Sequence, residues 1–185
     1  MRSLVLALLL LPDLATALDL RGVEPGDSCY KAEQVEAQLG STPKYKIASM
    51  RHDGILGFED ASSAPGAPIE ILYDCSDQPG VVSHYSIAVT VRDEASALRA
   101  LDAARDKVIA HVGQPSFDSD ALPSPQKEEY KRLSERVWIV RGLEWKTVPN
   151  QSITILLTHR NDLWRVSTLV QAKRETPDSL NRQLP

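Results

Sequence analysis

A four-residue pattern occurs twice in this chain and constrains its fold more than any other feature. Ile69, Glu70, Ile71 and Leu72 return as Ile153, Thr154, Ile155 and Leu156. Each copy lies downstream of an apolar-striped segment that stops at a glycine with a proline close behind. These are Leu39, Gly40, Ser41, Thr42, Pro43 in the first case and Val112, Gly113, Gln114, Pro115 in the second. Glycine readily takes the left-handed conformation that ends a helix, and proline prevents its restart. Each copy therefore reads as a helix followed by strands, and two copies of one unit is the simplest arrangement.

Taken in order, Asp27 or Ser28 caps a first helix that carries Ala32, Val35 and Leu39 on one side and ends at Gly40. A strand over Lys44 to Met50 follows, then a loop rich in serine, proline and glycine from Asp60 to Pro68. His52 with Asp53 reads as a turn. Strict alternation begins at Ile69, placing Ile69, Ile71, Tyr73 and Cys75 on one face. The turn Asp77, Gln78, Pro79, Gly80 leads into a long strand, Val81 to Arg92. Asp93 caps a second, longer helix striped by Ala97, Leu98, Leu101, Ala104, Val108 and Val112. Residues 116–125 read as an exposed loop, with a helical turn or two over 126–135. Strands at 136–146, 152–158 and 163–171 complete the second unit, with Gly142 marking a bulge. The expected fold class is α+β: two αβββ units, 28–92 and 93–172, forming an antiparallel sheet with both helices on one face. The opposite face is then free of helices and open to a partner.

The first residues read as an address. Arg2 supplies a positive start, Ser3 to Leu11 an apolar run, and Ala15, Thr16, Ala17 the small-x-small pattern of a signal peptidase site. Residues 1–17 are thus expected to be a signal peptide, 18–27 a polar leader and 173–185 a flexible tail. The run is shorter than the ~20 apolar residues that span a bilayer, so no membrane anchor is expected after cleavage. The mature protein is expected to be periplasmic or secreted. Lysine and arginine are diluted among acids, with a formal net charge of -4, which leaves no basic stripe for nucleic acid.

Export sets the reading of the cysteines. In an oxidising compartment Cys29 and Cys75 are expected to pair, the competing reading being two buried free thiols. With two cysteines in the chain, a zinc site of the cysteine type is excluded.

Motifs of catalysis are absent. His52, His84, His111 and His159 do not fall in metal-ligand spacing, no Gly-x-Ser-x-Gly elbow occurs, and no glycine-rich loop is shaped for phosphates. No cofactor, metal or enzymatic activity is expected. Large aromatics anchor many interfaces, and all three tryptophans lie in the second unit. Trp138 and Trp164 read as core. Trp145, next to Gly142 and a polar turn, reads as an interface residue. On the helix-free face, Leu72 and Leu156 occupy equivalent positions of the two copies, and His84 and Arg165 join them as candidate partner-binding residues. The competing reading of these four is a solvated face with scattered apolar residues.

Gly26, Asp27 and Ser28, followed by Val35, Leu39, Gly40 and Pro43, resemble the opening signature of exported modules of the BamE (SmpA/OmlA) group and of the β-lactamase inhibitor proteins. The latter are tandem duplications of such a module. The resemblance implies a periplasmic protein that acts by binding another protein. It does not extend to the lipid-bearing cysteine of the lipoprotein branch or to the inhibitors' contact residues. The expected function is therefore an exported, non-catalytic module that binds an envelope or extracellular protein through the open sheet face. The alternatives are a small-ligand binder, recognisable by a cavity of a few hundred cubic ångströms that reaches the surface, and a hydrolase with histidine and carboxylates converging in one cleft.

Overall fold

The alternating runs of both halves pair into a single antiparallel sheet, seen in a computed structural model described over residues 20–47, 54–76, 80–134, 138–146 and 151–172. The expected signal peptide and its cleavage site, the end of the strand expected to reach Met50, the His52–Asp53 turn, residues 77–79 and the tail from 173 lie outside the described residues. Along the chain come α1 (Cys29–Gln38), β1 (Thr42–Ile47), β2 (Gly54–Glu59), β3 (Ile69–Cys75), β4 (His84–Val91) and α2 (Glu94–Val112). After these come β5 (Phe117–Asp118), a 3-10 turn (Ser119–Ala121), α3 (Ser124–Ser134), β6 (Ile139–Trp145), β7 (Gln151–Arg160) and β8 (Leu163–Ala172). Among the described residues the sheet has eight strands in the order β1-β2-β3-β4-β8-β7-β6-β5. The first four strands thus fill one side and the last four the other, and the two sides meet where β4 pairs with β8.

Local chemistry accounts for the element ends. The Ser28 side chain accepts from the Lys31 amide at the start of α1, and the Asp93 carboxylate accepts from the Ser96 amide at the start of α2. Gly113, at φ 85°, closes α2 with its amide on the Ile109 carbonyl. Asn161 and Asp162, both at positive φ, form the two-residue turn between β7 and β8. The amphipathic patterns then meet in one buried cluster. Ile71, Tyr73 and Cys75 of β3, Tyr85 of β4, Ile153, Ile155 and Leu157 of β7, and Val166 and Val170 of β8 close on Cys29 and Ala32 of α1 and on Ala97, Leu101 and Val108 of α2. Cys29 and Cys75 are joined in a disulfide with their Cα atoms 6.3 Å apart.

Four features depart from the sequence expectations. First, β2 forms where no strand was expected. Its six residues include Gly54 and Gly57, so the hydrophobic alternation that announces a strand is broken. Second, the segment expected as an exposed loop with a helical turn or two contains β5 and the eleven-residue α3. Third, the stretch expected as a polar leader carries Leu20 and Val23, which are buried in the core. The Gly26 amide of this stretch donates to the Val82 carbonyl, and the Val82 amide donates to the Asp27 carbonyl. Fourth, Gly142 pairs in register with Leu156, and the irregularity of β6 falls earlier, between Ile139 and Arg141.

The disulfide closes a loop of 46 residues, for which chain entropy gives a stabilisation of about 4 kcal/mol. The Cys29→Ala, Cys75→Ala double variant is expected to lose about 2–4 kcal/mol in urea unfolding. Added reductant should lower the midpoint of the unmodified protein and leave that of the variant unchanged.

Candidate functional site

Residues paired across antiparallel strands point to the same side of a sheet, so the register identifies what lies on the face turned away from the buried cluster. One row runs Tyr45, Gly57, Leu72, Ser86, Leu169, Thr154. The next runs Gly142, Leu156, Ser167, Ala88, Glu70. Leu72, Leu156 and Leu169 are half-buried; Leu169 shares the two central strands with Ser86, Ser167 and the buried Ala88. The result is a shallow apolar strip across β3, β4, β8 and β7.

A tyrosine closes each end of this strip by lying on a strand glycine. A Cβ at Gly57 would stand 2.6 Å from Cζ of Tyr45, and one at Gly142 would stand 2.6 Å from the hydroxyl of Tyr130. At Gly57 the Tyr45 ring, and at Gly142 the Tyr130 hydroxyl, occupies the space a side chain would take, so a larger residue at either position must displace its tyrosine. Tyr130 belongs to α3 and also packs on Phe117, with ring centroids 5.8 Å apart. Helix α3 therefore covers the β6 end of the reverse face, which corrects the expectation of a face without helices. The segment is tied down by Arg141, which donates to both Asp118 oxygens at 3.2 and 2.7 Å and lies 3.1 Å from Asp120. At the other end the Tyr45 hydroxyl donates to Glu70 at 3.1 Å, and Arg165 donates to the same carboxylate at 2.7 Å. Burial, then the charge and hydrogen bond of Glu70, push the Tyr45 phenol above its ordinary pKa.

Of the candidate residues, Leu72, Leu156, His84 and Arg165 all fall on this reverse face. Arg165 is held by Glu70, and His84 sits at the end of β4 with Nε2 3.5 Å from Asp74. Trp145 does not belong with them. It alternates with Leu143 on the core side of β6, is 0% exposed, and donates its indole N–H to the Gly113 carbonyl at 2.9 Å. The assignment of Trp145 to an interface is thereby corrected: the carbonyl at the end of α2 satisfies its single polar atom inside the core. Trp138, expected in the core, is the outward one. It is 48% exposed, and the Arg160 guanidinium lies 4.0 Å from its ring centroid. Trp164 is half-buried and stacked on His159 at 4.2 Å.

On the helix side the structure reveals a buried ionic network with no precedent in the motifs. Glu36 of α1 is 0% exposed and accepts four hydrogen bonds. They come from Arg21 Nε at 3.1 Å, Arg21 Nη2 at 2.5 Å, the Ser41 hydroxyl at 2.6 Å and the Tyr73 hydroxyl at 2.5 Å. Arg21 also donates to Asp60. Burial opposes the charge of Arg21, but the hydrogen bonds and charges of Glu36 and Asp60 prevail and raise its pKa above the ordinary arginine value. Burial and the bond to Glu36 raise the Tyr73 phenol likewise. For Asp60, burial is outweighed by hydrogen bonds from Ser62 and Arg21, and its pKa falls below the usual aspartate value. Cys29, Ala32 and Glu36 lie three and four residues apart, so Glu36 shares the buried face of α1.

Near this network a groove of about 570 Å³ opens at the β1–β2 edge, lined by Glu33 and Ala37 of α1, by Lys44, Tyr45 and Lys46 of β1 and by Gly57 of β2. A cavity of this size at the surface is the feature by which a small-ligand binder was to be recognised. Among the described residues no group of three or more His, Cys, Asp or Glu side chains is placed to hold a metal, and no helix is long and apolar enough to cross a membrane. No family model matches the chain, and no curated protein or solved structure does.

Removing one member of a buried, fully bonded ion pair leaves the other without compensation, at a cost of about 3–5 kcal/mol. Glu36→Ala is expected to lose that much in urea unfolding. Because the Asp60 pKa is depressed in the fold, its contribution is present above the ordinary aspartate value of 3.8 and disappears as pH falls through the folded value. The stability gap between the unmodified protein and Asp60→Asn should therefore be constant near neutrality and close in acid. Trp145→Ala is expected to cost about 3–5 kcal/mol of stability, whereas Trp138→Ala should change the unfolding midpoint little.

Proposed function

We propose that this chain is an exported, non-catalytic module that binds another protein of the envelope or the extracellular space through the reverse face of its sheet. An assembly accessory, an inhibitor and an immunity-type protein all work in this way. The observation that carries the reading is the strip formed by Leu72, Leu156 and Leu169 around Ser86, Ala88 and Ser167. Leu72 on β3, Leu169 at the seam and Leu156 on β7 give a partner apolar area, with Ser86 and Ser167 between them. The Tyr45 and Tyr130 ends supply aromatic rims, and Glu70 with Arg165 supplies a polar margin. Such an arrangement, with an apolar centre and a polar edge, has the anatomy of a protein interface.

Duplication of one ancestral unit is part of the proposal, and three correspondences support it. The Ile-x-Ile-Leu copies lie on β3 and β7, each the second strand from the β4–β8 seam. Gly57 pairs with Leu72 and Leu72 with Ser86, just as Gly142 pairs with Leu156 and Leu156 with Ser167. A helix precedes the strands of each half and contributes to the same buried cluster, which favours a shared helical side. Each half carries one strand more than an αβββ unit, β2 in the first and the two-residue β5 in the second. The signal-peptide features of residues 1–17, the closed Cys29–Cys75 bond and the resemblance to the BamE and β-lactamase inhibitor modules favour an exported, protein-binding role.

The reading is tested by capture from an envelope extract, with bound species identified by mass spectrometry. A species held by the unmodified protein should be lost by the Leu72→Lys, Leu156→Lys double variant and kept by Leu98→Lys, which alters an exposed position on α2. Urea midpoints should stay close to one another, as expected for surface changes. Retention of the same species by the double variant would remove the reverse face from consideration.

A further inference from the structure

Helix α3 covers one end of the reverse face through a single anchor. Of its eleven residues Ser134 is buried and Tyr130 half-buried, and the other nine are exposed. The Tyr130 ring packs on Phe117, and its hydroxyl is bonded to Ser119 and lies over Gly142. The Ser134 hydroxyl donates within the helix, to the Lys131 carbonyl, and so fastens nothing to the sheet. Lys127 lies 3.3 Å from the Asp120 carbonyl and 3.3 Å from its carboxylate. Both side chains of that pair are largely in solvent, where such a tie is weak.

A helix this short is marginal by itself in water, because nucleation costs more than so few hydrogen bonds return. No acidic residue in its first turn offsets that cost through the helix dipole. Segments with few buried contacts open locally at a free energy well below that of global unfolding. Strand β6 beneath needs nothing from α3, since it pairs with β7 and buries Leu143 and Trp145 on the other side. The opposite end of the strip differs: Tyr45 reaches Gly57 from β1, a strand held in the sheet ladder. Under α3, the Tyr130 hydroxyl and Leu156 Cδ2 stand 2.6 and 3.5 Å from where a Gly142 Cβ would lie. The tyrosine therefore fills the space beside the leucine that ends the strip.

We propose that α3 is a displaceable cover on the docking face: it opens as a unit, Tyr130 leaves Gly142, and the strip gains Phe117 and the flank of Leu156. This rests on reading the reverse face as a docking surface, but its test uses no partner, so failure of capture and failure of the cover are separate results. The test joins amide exchange with binding of the neutral apolar dye Nile red to the full protein. The amides of Glu129 to Ser134 are expected to exchange roughly a hundredfold faster or more than the ladder amides of β7. Tyr130→Ala should abolish the remaining protection of α3, leave β6 and β7 unchanged, and raise dye fluorescence about twofold or more. Gly142→Val, which expels the ring from beneath, should remove α3 protection likewise, whereas Tyr130→Phe, which keeps the ring, should preserve it. Adding Leu156→Gln to Tyr130→Ala should remove the gain in dye signal. Protection of α3 equal to that of β7, release of α3 with no gain in dye signal, or a gain that survives Leu156→Gln would each overturn the proposal.

Discussion

Everything in this molecule depends on the antiparallel pairing of β4 with β8. Eight residue pairs, from His84 with Gln171 to Val91 with Trp164, join the two halves of the chain in register. Without this seam each half is a four-stranded sheet with a raw edge, and exposed edges of that kind invite association. With it, the two halves share one buried cluster, and their outward residues form one continuous surface. The seam also decides what lies at the centre of that surface. Ser86 faces Leu169 across it, and a buried Ala88 faces Ser167, so one leucine stands among small residues at the centre, between Leu72 and Leu156 on the neighbouring strands.

The two outer edges are treated differently, and the difference shapes the sites. At the far end, β5 is two residues long, and α3 with Tyr130 lies across the neighbouring strand at Gly142. At the near end β1 is exposed along its whole length, but it carries Pro43, a register irregularity beside it, and the charges of Lys44 and Lys46. Proline, bulges and lysines all discourage further strand pairing. The same lysines line the adjoining groove, each paired with a carboxylate, Lys44 with Glu59 and Lys46 with Glu33. Below that groove, Glu36 draws Arg21, Ser41 and Tyr73 together and fastens the stretch before α1 to β3. A buried carboxylate with four donors is costly to assemble, and its geometry specifies one docking of that stretch and no other.

Much of this architecture was legible in the residues. Strict alternation announced β3, β4, β7 and β8, because each has one face in the core and period two is then enforced by burial. The helix stops at Gly40 and Gly113 were equally plain. What stayed hidden follows from the same physics. In β2 Gly57, which accepts Tyr45, and Gly54 interrupt the very alternation that would reveal a strand. In β6 the irregularity before Arg141 shifts the phase of the alternation, and Trp145 lands inside while Trp138, at φ 57°, is turned outward. Helix α3 is polar almost throughout and touches the sheet chiefly through one tyrosine, so no apolar stripe predicted which face it would cover. Glu36 was concealed by its charge, since a carboxylate within a helical stripe reads as solvent-facing until its donors, distant in sequence, are known.

The β4–β8 pairing holds the two halves as one sheet. Amide hydrogen exchange of the free protein addresses this directly. If the seam is the organising contact, the amides of Tyr85 to Val89 and of Val166 to Val170 that bond across it exchange only through global unfolding, far more slowly than those of β1. Seam amides exchanging as fast as β1, with each half still protected internally, would mean that the halves separate in solution and that no continuous reverse face exists.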